Sequence, residues 1–269
     1  MGPSFGKATT LRILFIGDVV GRSGRQAVTK LLPDLREETR ANFVIANGEN
    51  AAAGLGITRE TAQEIFQAGV DVITLGNHVW ARKEIYEYLD EEPRLIRPAN
   101  YPIGAPGKGW AIYSTEAGIP IAIINLCGRV FMDPLENPFH LTDKILETLN
   151  NKANVILVDF HAEATSEKVA FAWYVDGRVS AVVGTHTHVQ TADERVLPGG
   201  TAFITDVGMT GPTDSVIGLR KDLIISRFLT LMPNKFDVAE GEAVLSAVII
   251  DIDTGTGRAI SISRLQKET

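Results

Sequence analysis

Three times in succession near its start, the chain sets a short apolar run before a polar, glycine-containing turn and then a helical repeat. Residues 11–16 end in Gly17-Asp18 and are followed by Ala27, Val28, Leu31, Leu32 and Leu35 at helical spacing. Residues 43–46 lead through a loop over 47–56 into a helix expected over 58–68, where Ala62, Ile65 and Phe66 share a face. Residues 70–75 lead through Gly76-Asn77-His78 into a helix expected near 81–89. Apolar runs this short, bounded by turn residues, read as strands, and three-to-four spacing reads as helix. Consecutive βα units require parallel strands covered on both faces, which restricts the chain to an α/β architecture. Ser23 with Gln26 three residues on predicts a capping box for the first helix, and Pro33 predicts a kink within it.

The remainder is less regular. A Pro- and Gly-rich stretch over 94–108 precedes two expected paired strands at 110–114 and 120–126. A helix is expected over 142–149, further strands over 155–158 and 179–183, and a closing antiparallel hairpin between 242–250 and 258–262. With 269 residues, 45% hydrophobic and 22% charged, the composition is that of a globular chain, expected as one domain over 11–265 with 1–10 as a disordered lead-in. No apolar run approaches the ~18 residues of a membrane span, and the first ten residues lack the apolar segment of a signal peptide. The single cysteine, Cys127, excludes an internal disulfide and a cysteine-based zinc framework, which fits a cytoplasmic setting. A net charge of −7 argues against a stable nucleic-acid complex.

Chemistry concentrates at strand ends. Four of the five histidines, His78, His161, His186 and His188, immediately follow predicted strands, and Asp18, Glu49, Asn50 and Asn77 occupy the same kind of position. In an open α/β sheet the carboxyl ends of parallel strands line one crevice. Histidine, carboxylate and amide oxygen together are the ligands of a hard-to-borderline divalent metal. Each fragment also has a plain structural reading: Gly17-Asp18 as a turn or cap, 47–50 as a turn, His161 as a semi-buried structural histidine. His186-x-His188 is sharper, because two imidazoles one residue apart bracket a metal position, and the ordered set outweighs any member. His140 has no companion motif and reads as a surface or packing residue. Gly17, Gly21 and Gly24 fit neither the P-loop spacing nor the dinucleotide fingerprint, which sets aside ATPase and nicotinamide chemistry.

Taken in order, Gly17-Asp18, Gly48-Glu49-Asn50, Gly76-Asn77-His78, His161 and Gly184-Thr185-His186-Thr187-His188 resemble the calcineurin-like metallophosphoesterase superfamily. The blocks at 17–22, 47–50, 161–166 and 206–212 are similar to its YmdB-type subfamily, over nearly the whole chain. The resemblance implies a four-layer α/β/β/α sandwich with mixed sheets and a metal-dependent phosphodiesterase acting on 2',3'-cyclic nucleotides or related phosphodiesters. It implies two divalent ions per chain, iron or manganese with zinc also compatible. One ion would be held by Asp18, Glu49, Asn50 and His188, the other by Glu49, Asn77, His161 and His186, with Glu49 bridging. His78 would act as general acid to a metal-bridging hydroxide. Two departures from the wider superfamily, no histidine after Asp18 and Glu49 in place of the usual Asp, are themselves similar to the subfamily, where Asn50 takes the missing position.

Arg22 and Arg129 are the candidate substrate contacts. Two other readings stay open from sequence: a phosphomonoesterase or protein phosphatase on the same fold, and a metal-binding regulator with low residual hydrolysis. Arginine beside the metals would favour monoester dianions, whereas an apolar wall would favour nucleosides. The long Gly-rich loop over 189–217 either closes over a small phosphodiester substrate or mediates contact in a homo-oligomer.

Overall fold

The computed structural model describes residues 10–150 and 152–269. The expected lead-in thus lies outside the described residues except for Thr10, which opens the first strand. The first half runs β1 (Thr10–Ile16), β2 (Asp18–Val19), α1 (Gly21–Thr39), β3 (Phe43–Asn47), α2 (Arg59–Gln67), β4 (Val72–Thr74), a 3-10 turn (Val79–Ala81), α3 (Ile85–Glu91) and β5 (Leu95–Ile96). The second half runs β6 (Trp110–Ser114), β7 (Pro120–Cys127), α4 (Pro138–Leu149), β8 (Val155–His161), α5 (Thr165–Val175), β9 (Ala181–Thr185), β10 (Arg195–Val196), β11 (Ala202–Ile204), β12 (Met209–Pro212), α6 (Lys221–Thr230), β13 (Ala243–Asp253) and β14 (Ala259–Glu268).

Two mixed sheets result. One has the order β2-β12-β13-β1-β3-β4-β5, with β14 also paired to β13; the other has the order β10-β11-β9-β8-β7-β6. The three βα units give parallel pairing of β1 with β3, β3 with β4 and β4 with β5. The tail forms the expected antiparallel hairpin, β13 with β14, and β13 also pairs antiparallel with β1.

Strand alternation sorts the side chains into layers. Along β1, Leu14 and Ile16 join the core beneath α1 and α2, while Leu11, Ile13 and Phe15 face the other sheet. Along β8, Val155 and Leu157 meet that same inter-sheet core, while Ile156, Val158 and Phe160 pack beneath α4 and α5. A period of two with both faces apolar is what a strand between two buried layers requires. The three cores separate four layers in the order α/β/β/α. Among the described residues, no helix is long and apolar enough to cross a membrane.

Local readings needed correction where tertiary contacts took over. The α1 N-terminus has no capping box: Val20 occupies the cap without a side-chain bond, and its N–H instead donates to Thr210 O at 2.9 Å. Ser23 lies buried one turn inside. Pro33 does not end the helix, because it sits on the exposed face, where the Thr29 carbonyl it leaves unpaired can meet water. The helix expected near 81–89 divides into the 3-10 turn and α3. Helix α4 starts earlier than expected, with Asn137 Oδ1 capping Phe139 N and Pro138 at the first helical position.

Candidate metal centre

The strand ends of both sheets deliver the candidate residues to one place. Asp18 begins β2 just after β1, Glu49 and Asn50 lie in the turn after β3, and Asn77 and His78 follow β4. His161 closes β8, and His186 and His188 follow β9. Asp18, Glu49 and His161 are fully buried. Gly76 allows this crowding: a Cβ there would stand 2.2 Å from Glu49 Oε2 and 2.3 Å from His161 Nε2.

Three imidazoles are each held from outside by an acceptor. Thr185 Oγ1 donates to Asp159 Oδ1 at 2.7 Å, so it accepts from His161 Nδ1 at 2.9 Å. Asp159 is itself fixed as an acceptor by Thr74 Oγ1 at 2.5 Å and Asn47 Nδ2 at 3.0 Å. His186 Nε2 lies 3.1 Å from Glu163 Oε2, and His188 Nδ1 donates to Ile217 O at 2.9 Å. The second nitrogen of each ring therefore faces inward. His161 Nε2 is 3.0 Å from each of Glu49 Oε1, Asn77 Oδ1 and His186 Nδ1. His188 Nε2 is 3.9 Å from Asp18 Oδ1 and 3.2 Å from Asn50 Nδ2.

Asp18 Oδ2 accepts from His186 N at 3.2 Å, but its buried Oδ1 has no hydrogen-bond partner. A buried carboxylate oxygen without a donor is costly unless a cation answers it. Outer acceptors that fix each imidazole tautomer are the usual surroundings of metal-ligating histidine. Glu49, His161 and His186 present ligand atoms that all lie within 4.8 Å of one another. On these grounds the donor set fits a divalent metal.

With no ion among them, the charged groups of the site shift one another. Burial would raise Glu49, but His161 and then His78 outweigh it and hold this carboxyl well below the ordinary range. Burial would likewise lower His161, yet Glu49 and Asp18 push it up to about 9. His186 is pushed down to about 3 by burial and by neighbouring His161, so its ring is neutral and can offer a lone pair. Burial pushes Asp18 up to about 6 against the pull of His188 and His161.

The turn carrying His186 and His188 is strained. Both adopt positive φ, 100° and 68°, which non-glycine residues do only where the surroundings impose it. The restraint is Asp206. Its Oδ2 accepts from Thr187 N at 3.0 Å and Thr187 Oγ1 at 2.7 Å, between the two histidines, and its Oδ1 accepts from Gly208 N at 2.8 Å. Lys168 Nζ, also buried, pairs with Asp206 at 2.7 Å. Sequence reasoning assigned no role to Asp159, Glu163, Lys168 or Asp206; Glu163 and Asp206 lie inside quoted motif blocks, which was the one available signal.

His78 sits at the rim, with its backbone N–H on Glu49 Oε2 at 3.1 Å and its Nδ1 2.8 Å from Asn50 Oδ1. Asn50 thus turns its amide nitrogen, not its oxygen, toward Glu49 and His188. An amide turned over has nearly the same shape, so the oxygen can face either way within the same space. His140 is exposed, in line with a surface role.

Beside the histidines lies a cavity of ≈ 300 Å³ whose wall includes Val20, Ile217, Leu219, Thr187 and Glu163. Arg22 and Arg129 are both exposed and neither is among the residues lining it, so the expectation that they contact substrate finds no support there. A larger groove of ≈ 870 Å³ along β6 contains none of the site residues.

A family model described as YmdB-like protein matches residues 14–265. Over 255 residues the chain is 53% identical to the 2',3'-cyclic-nucleotide 2'-phosphodiesterase of Bacillus subtilis (strain 168), across 95% of this chain and 96% of that one. Among solved structures, a hypothetical protein of Thermus thermophilus matches with a TM-score of 0.90 at 48% identity, covering 96% of this chain and 99% of that one. A novel phosphatase of Mycoplasma pneumoniae matches with a TM-score of 0.91 at 34% identity, covering 97% of this chain and 94% of that one. Both the sequence match and the shared fold extend over nearly the full described length, and the chain therefore belongs to the YmdB-like protein family.

Proposed function

We propose that this chain is a cytoplasmic, metal-dependent phosphodiesterase that hydrolyses 2',3'-cyclic nucleotides or related phosphodiesters. The observation that carries this reading is the cavity wall. Among the described residues it has no arginine or lysine, one carboxylate in Glu163 beyond the candidate ligands, and an apolar side formed by Val20, Ile217 and Leu219. A phosphomonoester dianion calls for extra cationic partners, whereas a diester monoanion needs fewer and gains from apolar surface against its sugar and base. The Bacillus subtilis relative is named for an activity of this kind.

In this reading Asp18, Glu49, Asn50 and His188 hold one divalent ion and Glu49, Asn77, His161 and His186 the other, with Glu49 shared. The mixed nitrogen and oxygen donors suit iron or manganese, and zinc is also compatible. Such ions supply positive charge for the phosphate oxygens and acidify water toward neutrality.

The chain's own contribution to bond breaking is His78. As a water oxygen bonds to phosphorus, the P–O bond to the ribose breaks and His78, as an imidazolium, gives its Nε2 proton to the departing oxygen, which leaves as a hydroxyl while the ring is left neutral. Asn50 orients the ring: its Oδ1, 2.8 Å from His78 Nδ1, accepts from that nitrogen and leaves Nε2–H to face the substrate. An amide oxygen has two lone pairs, so Asn50 would serve as orienter of the acid and as a candidate ligand.

The test is turnover of a panel containing 2',3'-cyclic nucleotides, linear diesters and monoesters, alongside metal analysis of the same preparation. Preferred turnover of the cyclic diesters is expected. Ready hydrolysis of monoesters with the diesters untouched would transfer the assignment to a phosphomonoesterase.

A further inference from the structure

Strand β6 closes one end of its sheet and pairs on one side only, with β7. Asn125 N donates to Gly109 O and Thr115 N to Ile119 O, each at 3.0 Å, and the register between them sets Ala111 opposite Ile123 and Tyr113 opposite Ile121. An antiparallel ladder bonds alternate residues, so 109, 111, 113 and 115 bond toward β7, while the N–H and C=O of Trp110, Ile112 and Ser114 point away from it. At Lys108 this outer side is covered, because its carbonyl accepts from Arg97 N at 2.9 Å. From Trp110 onward the outer groups meet no partner among the described residues. Residues 110–114 also carry no charge and no proline, the devices that ordinarily keep an exposed edge from pairing.

The groove of ≈ 870 Å³ runs along this edge and is lined by residues 110–113 in succession. Leu141 and Ile145 of α4 and the fully exposed Ile103 add apolar surface to it. Its charge is of one sign: Arg94, Arg97 and Lys108 line it and no carboxylate does, in a chain of net charge −7. Glu92 answers Arg94 through two hydrogen bonds. Arg97 bonds only the carbonyls of Pro98, Ala105 and Pro106, and the exposed Lys108 has no ion pair among the described residues. The uncompensated cations therefore stand together, at the start of β6.

We propose that this groove takes an extended acidic segment of a partner protein, which adds to β6 as a further strand with its carboxylates beside Arg97 and Lys108. Outward N–H and C=O groups on every second residue are the pattern that another extended backbone completes. A compact anion would meet the cations and leave those groups unpaired. Trp110 packs with Leu141 against the core beneath α4, and Ile112, two residues on, shares that face. The side chains of the added strand on the same face are accordingly apolar. The groove contains none of the candidate ligands, so the proposal stands whether or not the activity above is correct.

The probe is a fluorescein-labelled heptapeptide, Asp-Asp-Val-Thr-Val-Thr-Val, titrated against the full chain by anisotropy, with residue-resolved amide hydrogen exchange on the same mixture. The amides of Trp110, Ile112 and Ser114 should exchange fast in the protein alone and become protected with peptide, while those of Ala111 and Tyr113 are slow throughout. Ile112→Pro removes an outer N–H and leaves the β7 ladder its donors, which an edge strand tolerates. It should keep native circular dichroism and weaken binding roughly tenfold, about the worth of one hydrogen bond. Lys108→Glu, at an exposed position outside the strand, should weaken this peptide and favour its Lys-Lys counterpart. Absence of saturable binding would overturn the proposal, as would binding that leaves the three amides fast or that survives methylation of alternate peptide nitrogens. Amides already protected in the protein alone would give the edge to a second copy and overturn it as well.

Discussion

Nδ1 of His186 lies 3.0 Å from Nε2 of His161, and each ring has its other nitrogen engaged by an acceptor of its own, Glu163 for one and Thr185 for the other. Two inward nitrogens this close, with Glu49 Oε1 another 3.0 Å from His161 Nε2, need a positive charge between them, either the proton of a charged His161 or a metal ion. In the reading above, that is a metal.

Glu49 is the residue through which both ions would be held. Glu49→Gln should lower both occupancies together, by roughly tenfold or more in affinity, since a neutral amide is a weaker ligand than a carboxylate and the charge balance is lost. Elemental analysis after dialysis reads this directly. Retention of both ions by the variant would remove Glu49 from the shared position.

Gly76 offers a test that adds atoms instead of removing a ligand. An alanine Cβ would meet Glu49 Oε2 at 2.2 Å and His161 Nε2 at 2.3 Å, and both of those side chains are fully buried. Gly76→Ala should therefore retain native circular dichroism while losing most of its bound metal. A variant that binds metal as well as the wild type would show that the turn after β4 can yield.

The Lys168–Asp206 pair links stability to the histidine turn. Lys168→Met strips a fully buried carboxylate of its cation, which should cost about 3–5 kcal/mol in urea unfolding. Asp206→Asn releases Thr187 from between the two positive-φ histidines and should weaken metal binding by roughly 10–100-fold. Unchanged affinity in Asp206→Asn would mean that the strain at His186 and His188 is held by other contacts.

These positions also mark where the sequence was readable and where it was not. Gly76-Asn77-His78 and His186-x-His188 could be placed at once, because strand ends in an α/β sheet converge and the strands were visible as apolar runs. Asp159 and Asp206 were hidden, since each looks like an ordinary strand-end carboxylate until the fold brings Thr185 or Lys168 to it from 26 or 38 residues away. Helix α5 escaped because Val169, Ala170, Phe171, Ala172 and Trp173 follow one another without a polar break, so no face stands out. The Ser23 capping box failed for a related reason: the β12 carbonyl of Thr210, unseen in the local sequence, already served Val20 N.

His78 separates proton donation from metal binding. His78→Ala should keep both ions and lose roughly 10²- to 10⁴-fold in kcat on a ribose 2',3'-cyclic phosphate. On a p-nitrophenyl phosphodiester, whose leaving group needs little protonation, the loss should be much smaller. Equal losses on both substrates would make His78 a phosphate-positioning residue instead of an acid.

Whether a pair of metals on these seven ligands hydrolyses a cyclic phosphodiester is read by titrating manganese into chelator-stripped protein while following 2',3'-cyclic AMP by phosphorus NMR. Turnover to a nucleoside monophosphate that climbs to a plateau at two equivalents per chain is the predicted result. Full turnover by the stripped protein, or a plateau at one equivalent, would contradict it.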